Sequence, residues 1–297
     1  MEFSATLGPA ELISQLIVGL SRAMILFIIS AGLSFVLGVL RVPNIAHGSL
    51  YMIGAFAAYS ISRWFPGSAG FWVALILAPL AVALISLIVE RALFRHLYQR
   101  EHLMLLLFTF ALALILGDLV KIVWGSEYRS VSAPFLLKGS ISLLGSSFPR
   151  YNLFLIFAGF LVAIALWFFV NRTRIGKIAR AAAVDRDMVG LLGINVSWVF
   201  AAAFLVGCSL AGLGGALVAP TMSITLGMDH TLIIEAFLIV TIGGLGNMGG
   251  AFVGSLIFGL THSLGVLLFP QFAIVFPYAA VVLVLLLRPQ GLLKSVW

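Results

Sequence analysis

The sequence predicts an all-α membrane protein: a polytopic bundle of about eight or nine transmembrane helices, forming a single domain over 1–297. Of its 297 residues, 62% are hydrophobic and only 9% are charged. A soluble domain carries about a quarter charged residues, so this chain has too little charge to cover a water-facing surface. Since one crossing of the bilayer takes about 20 apolar residues, the apolar content suffices for eight or nine crossings and leaves little for a soluble domain.

The composition also excludes several classes of function. A mean hydropathy of +1.19 argues against a soluble enzyme, a nucleic-acid-binding protein and a disordered chain. The net charge of +7 is typical of cytoplasmic loops in a membrane protein. The single cysteine, Cys208, lies in an apolar run, which excludes a disulfide framework and a thiolate metal site. Phosphate-loop, zinc-protease and serine-hydrolase motifs do not occur. We therefore expect no enzymatic activity, no catalytic residue, no metal and no cofactor.

Nine apolar runs follow one another along the chain, separated by Gly, Pro and charged residues. They are 12–40, 50–62, 70–89, 103–123, 152–170, 196–219, 232–245, 251–269 and 272–287. Three of the breaks are basic, at 91–100, 172–186 and 288–294. Basic loops stay in the cytoplasm, and an even number of runs separates these breaks. We therefore expect the N-terminus outside, the C-terminus in the cytoplasm and 124–151 outside, as a small hairpin or surface cap.

A broken apolar segment near 41–48 is the first candidate site. Within "LGVLRVPNIAHGSLYMIGAF", 37–56, a proline removes a backbone donor and Gly48 loosens the restart of the helix. Non-helical backbone at membrane depth is tolerated where it is buried in protein or lines a wet cavity. Asn44 and His47 would then supply hydrogen-bonding groups to a translocation pathway. An ordinary tight loop at the membrane face explains the pattern equally well.

A second broken or re-entrant segment lies near 243–250, within "IVTIGGLGNMGGAFVGSLIFG". Asn247 occupies this break much as an asparagine occupies the first. Interrupted hydrophobic segments in corresponding positions of two halves indicate a midplane pathway in transporters. Gly243, Gly244 and Asn247 are therefore candidate pathway residues. Close helix packing through glycine explains part of the same pattern.

The loop 171–195 has the pattern of an amphipathic helix. On a helical projection of 178–192, one side carries Ile178, Ala182, Val189 and Leu192. Asp185 falls within that side, which argues against burial in lipid. Such a helix would lie in the membrane interface or dock into a groove on a partner protein. A partner that offers a cation would suit Asp185.

These three segments, with "WGSEYRSV" at 124–131, "AGLGGALVAP" at 211–220 and "LLRPQGLL" at 286–293, resemble the permease subunits of branched-chain amino acid ABC importers. The likeness is strongest to the shorter, H-type of that system's two permeases. It covers nearly the whole chain, and the ordered set is more specific than any single motif.

The resemblance implies a subunit of the bacterial inner membrane that forms half of a pathway for branched-chain amino acids or related small amides or acids, such as urea. Its partners would be a second permease subunit, two cytoplasmic ABC ATPases that use ATP, and a periplasmic or extracellular substrate-binding protein. Whether the second permease is a different chain or a second copy stays open. The resemblance also makes 171–195 a cytoplasmic coupling loop, since Asp187-Met-Val-x-x-x-Gly193 loosely matches a Glu-Ala-Ala-x-x-x-Gly core. Its candidate ATPase-coupling residues are Ile178, Ala182, Asp185, Asp187, Val189 and Gly193.

A self-contained secondary transporter driven by an ion gradient is the alternative. That class needs acidic residues in mid-membrane, and the sequence places Asp118, Asp229 and Glu235 near the ends of apolar runs. We expect the Glu235 carboxylate to favour the positive end of a helix dipole. Arg22, inside the first apolar run, is expected to snorkel to the outer interface.

Overall fold

The computed structural model describes residues 9–97, 101–143 and 146–293, and these are mostly helical. The eleven α-helices of the described ranges are α1 (Pro9–Leu40), α2 (Ala46–Trp64), α3 (Ser68–Ala92), α4 (His102–Trp124), α5 (Arg150–Arg172), α6 (Arg174–Val184), α7 (Arg186–Leu191), α8 (Val196–Val218), α9 (Met228–Gly243), α10 (Met248–Leu268) and α11 (Val275–Leu287). The prediction of an all-α membrane bundle is confirmed.

Each of the nine apolar runs coincides with one helix. Six helices of the described ranges are long and apolar enough to cross a membrane: α1, α3, α4, α5, α8 and α10. The apolar α11 is shorter, and α9 has only 16 residues. The expected count of eight or nine spans is therefore approximate.

Helix α2 lies at the centre of the bundle, where it packs against α3, α4, α8 and α9. Thirteen of its 19 residues are buried. It approaches α8 closely through glycines: a Cβ built on Gly54 would lie 2.5 Å from the carbonyl oxygen of Gly212. Small residues at a crossing allow two backbones to approach closely, which is how helices associate in a bilayer.

Both breaks predicted near 41–48 and 243–250 are present. In the first, the chain leaves α1 at Arg41, whose φ of 55° is in the left-handed region. The Arg41 N–H donates to the carbonyl of Leu37 at 2.9 Å, which closes the helix end. The second break turns at Gly244 and Gly246, with φ of 104° and 77°, conformations that favour glycine.

A strap of C-terminal residues, 291–293, covers the second break. The N–H of Leu292 donates to the carbonyl of Ile242 at 2.8 Å, and the N–H of Leu293 donates to that of Gly243 at 3.2 Å. These bonds satisfy carbonyls that the end of α9 would otherwise leave without an intrahelical partner.

The segment 124–151 contains the expected hairpin. Strands β1 (Ser140–Leu143) and β2 (Ser146–Pro149) pair antiparallel. An isolated bridge between Arg129 and Ile224 ties this segment to the connection between α8 and α9.

The single helix expected over 178–192 is wrong, because α6 and α7 are separate helices. Asp185 ends α6 and caps α7: its Oδ1 accepts from the N–H groups of Asp187 at 3.0 Å and Met188 at 2.9 Å. The carboxylate of aspartate bonds readily to nearby backbone N–H groups, which favours a cap over a helix interior.

Candidate translocation and coupling sites

The pathway residues proposed in the first break are buried inside the protein. Asn44 and His47 are both 0% exposed. The His47 ring places Nε2 3.0 Å from the carbonyl oxygen of Ile29 on α1. The side-chain amide of Asn44 has no hydrogen-bond partner among the described residues, for either its nitrogen or its oxygen. A buried polar group without a partner is rare, so this position is unusual for a purely structural residue.

The restart of α2 also contacts the first turn of α9. Ser49 Oγ donates to Asp229 Oδ2 at 2.8 Å, and both residues are buried. Gly48 packs against the backbone here: a Cβ on it would lie 2.9 Å from the carbonyl oxygen of Asp229. Gly48 thus permits the close approach that brings this serine and aspartate together.

The residues of the second break lie elsewhere. Asn247 caps α10, with its Oδ1 accepting from the N–H of Gly250 at 2.9 Å, and it borders a cavity of about 340 Å³ that Asn171 and Arg180 also line. Gly243 and Gly244 lie against the C-terminal strap. The first break touches the start of α9 and the second follows its end, about 24 Å away along a helix of this length. The structure therefore does not bring the two sets of residues into one site.

A partly buried charged cluster, which we call the Arg22 network, was not expected from the sequence. Arg22 Nη2 lies 2.8 Å from Glu235 Oε1, and Arg22 Nη1 donates to His262 Nε2 at 3.1 Å. The Arg22 side chain is 38% exposed and that of Glu235 only 10%. Arg22 was expected to snorkel to the outer interface, and the structure adds that its guanidinium contacts Glu235 on α9 and His262 on α10. Glu235 is in the middle of α9 and not at its start.

The coupling candidates fall into two groups. Ala182 and Val189 are buried against the protein itself, and Ile178 is half-buried. Asp187 is exposed, and Gly193, with a φ of 77°, follows the end of α7.

Another set of apolar side chains on α6–α7 is exposed instead, and we call it the coupling surface. It consists of Val184, Met188, Leu191 and Leu192. The helical projection placed Leu192 beside Val189, but that projection assumes an unbroken helix.

The first break is directly linked to α6. Arg41 Nη2 donates to the carbonyl of Ala183 at 2.9 Å. The two residues also border a shared cavity of about 220 Å³. The hydrogen bond joins α6 to the polypeptide between α1 and α2.

Within the described ranges, no group of three or more His, Cys, Asp or Glu residues is placed to hold a metal ion. What the geometry offers is a helical bundle with buried polar groups, three cavities beside α1, and an exposed apolar surface on the short helices α6 and α7.

Comparisons with known proteins agree with this geometry. The family described as the permease component of branched-chain amino acid transport systems matches residues 15–287. The high-affinity branched-chain amino acid transport permease LivH of Salmonella typhimurium is 29% identical, over 95% of both chains. BraD of Pseudomonas aeruginosa, described in the same words, is 29% identical with the same coverage.

A nucleoside ABC transporter permease of Lactococcus lactis, NupC, is 33% identical, but the match covers only 44% of this chain and 41% of the NupC chain. No solved structure shows a significant match. These relatives are named as transport proteins and not as enzymes. With a multi-pass helical architecture and a family match over residues 15–287, the chain belongs to the family of permease components of branched-chain amino acid transport systems.

Proposed function

We propose that this chain is the membrane-spanning permease subunit of an ATP-driven importer, and that it forms half of a pathway for branched-chain amino acids. The observation that carries the proposal is the family match over nearly the whole chain, together with relatives named for this substrate class that align over 95% of their length. The chain itself uses no cofactor, and partner subunits hydrolyse ATP.

The partners follow from this role. A second permease subunit completes the pathway, two cytoplasmic ABC ATPases drive it, and a periplasmic or extracellular binding protein delivers the substrate. In this arrangement 1–297 is one permease domain and 171–195 its coupling loop. The N-terminus lies outside and the C-terminus in the cytoplasm of the bacterial inner membrane.

The coupling surface supports contact with an ATPase. Leu191 is 84% exposed and Leu192 is 72% exposed. Basic residues lie close by, with Arg174, Lys177 and Arg180 on α6 and Arg186 at the start of α7. Such residues are typical of cytoplasmic loops. Apolar side chains on a short exposed helix are the anchors that a groove on a partner protein receives.

This contact is tested by Leu192→Glu in the complete complex of both permeases, both ATPases and binding protein. A carboxylate brought into an apolar groove without a partner costs about 1–3 kcal/mol or more. We expect the ATPases to co-purify less and leucine uptake into vesicles to fall, while the permease still reaches the membrane.

The matched control is Leu136→Glu. Leu136 is also 72% exposed but lies beside the hairpin, in the segment expected outside. It should leave ATPase co-purification unchanged. Wild-type co-purification in the Leu192 variant would show that α7 is not the docking element. Uptake by the purified chain alone, driven by an ion gradient, would replace the proposal with the secondary-transporter alternative.

A further inference from the structure

The Arg22 network borders a cavity of about 430 Å³, which we call the outer cavity. A ligand pocket of this kind has a volume of about 300–1,000 Å³. Its walls come from the middle of α1, the first turns of α5 and α9, and the residues around the end of α8. On α5 and α8 these are the ends remote from α6–α7, so in the proposed orientation the cavity lies toward the external side.

The lining of the outer cavity combines one charged pair with an apolar wall. The Arg22 guanidinium and the Glu235 carboxylate face it together. Eight of the other thirteen lining residues are aliphatic or methionine, among them Ile25, Leu155 and Leu232. The remainder are Tyr51 and four polar residues, Ser21, Asn152, Thr221 and Thr231. Specific ligand sites have this composition: a mostly apolar surface with a few polar groups that fix orientation.

The charges of the pair match those of a zwitterion. An α-amino acid carries a carboxylate and an ammonium on one carbon, so both can reach Arg22 and Glu235 when these two side chains separate slightly. Arginine is suited to carboxylates because its planar donors can bind both oxygens. A neutral nucleoside or urea offers no pair of opposite charges to replace the existing contact.

The ion pair also keeps the free-energy cost of the two charges low when no ligand is bound. An isolated charge in a low-dielectric interior is costly, whereas Arg22 and Glu235 neutralise each other when no ligand is bound. A zwitterion adds no net charge, so one ion pair becomes two and no charge is left unpaired. His262 holds the guanidinium from the α10 side and thereby positions it.

We propose that the outer cavity is a substrate-binding site within the permease, taking an α-amino acid with a branched aliphatic side chain, its carboxylate on Arg22 and its ammonium on Glu235. This inference rests on the proposed function and specifies a site for it. The branched side chain packs against the aliphatic wall. A structural ion pair that merely holds α1 to α9 is the competing explanation.

Binding in the outer cavity is tested by asking whether a ligand protects a cysteine there from a thiol reagent. Arg22 and Glu235 are left unchanged in this experiment. In a Cys208→Ala background of the complete complex, a cysteine replaces Thr221, an exposed residue that lines the outer cavity. Saturating leucine should slow its modification by an impermeant thiol reagent at least about tenfold, because the free fraction falls as 1/(1 + [L]/Kd). Isocaproate, which lacks the ammonium, and 3-methylbutylamine, which lacks the carboxylate, should protect far less. A cysteine at Ser140 in the hairpin is the control and should react equally with and without leucine.

The second arm replaces both charges, with Arg22→Met and Glu235→Met in one chain. Exchanging a buried ion pair for apolar side chains of similar size is often neutral for stability, so a purely structural pair predicts normal leucine uptake. The binding site predicts that protection at Thr221→Cys disappears and that uptake falls at least about tenfold.

The two proposals fail in different ways. If the wild-type complex does not import leucine, the proposed function fails. If the wild-type complex imports leucine but leucine does not protect Thr221→Cys, or if isocaproate and the amine protect as well as leucine does, the binding site is refuted while the function stands. Wild-type uptake by the double variant refutes the site as well.

Discussion

The close approach of α2 and α8 at Gly54 can be tested by the effect of an added methyl group on stability. Gly117, on α4 and away from this crossing, is the control. An added methyl at Gly54 would lie 2.5 Å from the carbonyl oxygen and 2.6 Å from the Cα of Gly212. Non-bonded carbon atoms sit at about 3.5–4.0 Å, and these neighbours are backbone atoms that cannot rotate away. The two helices would have to move apart by about 1 Å to relieve the overlap.

The magnitude follows from two opposing contributions. Overpacking costs about 1–3 kcal/mol, and alanine in place of glycine returns about 0.5–1 kcal/mol of helix propensity. We therefore expect Gly54→Ala to destabilise the permease by about 1–2 kcal/mol. Gly117, inside α4, has no atom within 4 Å of an added Cβ, so Gly117→Ala should be neutral or stabilise by up to about 1 kcal/mol.

The assay compares the thermal stability of both variants and wild type, purified in the same detergent. The measured quantity is the fraction of protein that still elutes as a monodisperse peak after heating to each temperature. Gly54→Ala should melt below wild type and Gly117→Ala at or above it. If the two variants shift in the same direction by similar amounts, the close approach of α2 and α8 does not limit stability and the reasoning fails.

Two further predictions concern orientation and coupling. In a Cys208→Ala background, a cysteine at Ser140 should react with an impermeant reagent from outside and one at Val184 only after the inner face is opened; the reverse pattern would overturn the proposed orientation. Arg41→Gly should preserve expression, because glycine suits a φ of 55°, but it removes the hydrogen bond to α6. We expect less substrate imported per ATP hydrolysed by the complete complex, and an unchanged ratio would rule out this link.

The sequence predicted the helices well because hydropathy is a property of each segment by itself. Every apolar run became one helix, and both breaks occur where proline, asparagine and glycine interrupt the pattern. The split between α6 and α7 was missed because a projection weighs apolar faces and ignores capping. A capping residue such as Asp185 inside a helical pattern was the signal that could have revealed it.

The Arg22 network was missed for a different reason. Arg22 and Glu235 are 213 residues apart in sequence, and no local pattern indicates which apolar runs will be neighbours. The available signal was the presence of opposite charges within two separate apolar runs, since an intramembrane charge commonly pairs with another. The burial of the first break could not be predicted for the same reason, because it depends on which helices enclose α2.

The central position of α2 has a consequence for how the protein is made. Its polar first turn, with His47 and Ser49, is unsuited to hydrocarbon until other helices enclose it. The helix that covers it most extensively, α8, begins only at Val196. At a synthesis rate of about 5–20 residues per second, the ribosome delivers α8 roughly 7–26 s after α2. During that interval α2 needs a temporary shelter, such as the insertion machinery or its neighbours α1 and α3. Substitutions that slow or abolish α8 should therefore leave an α2 that insertion quality control can recognise.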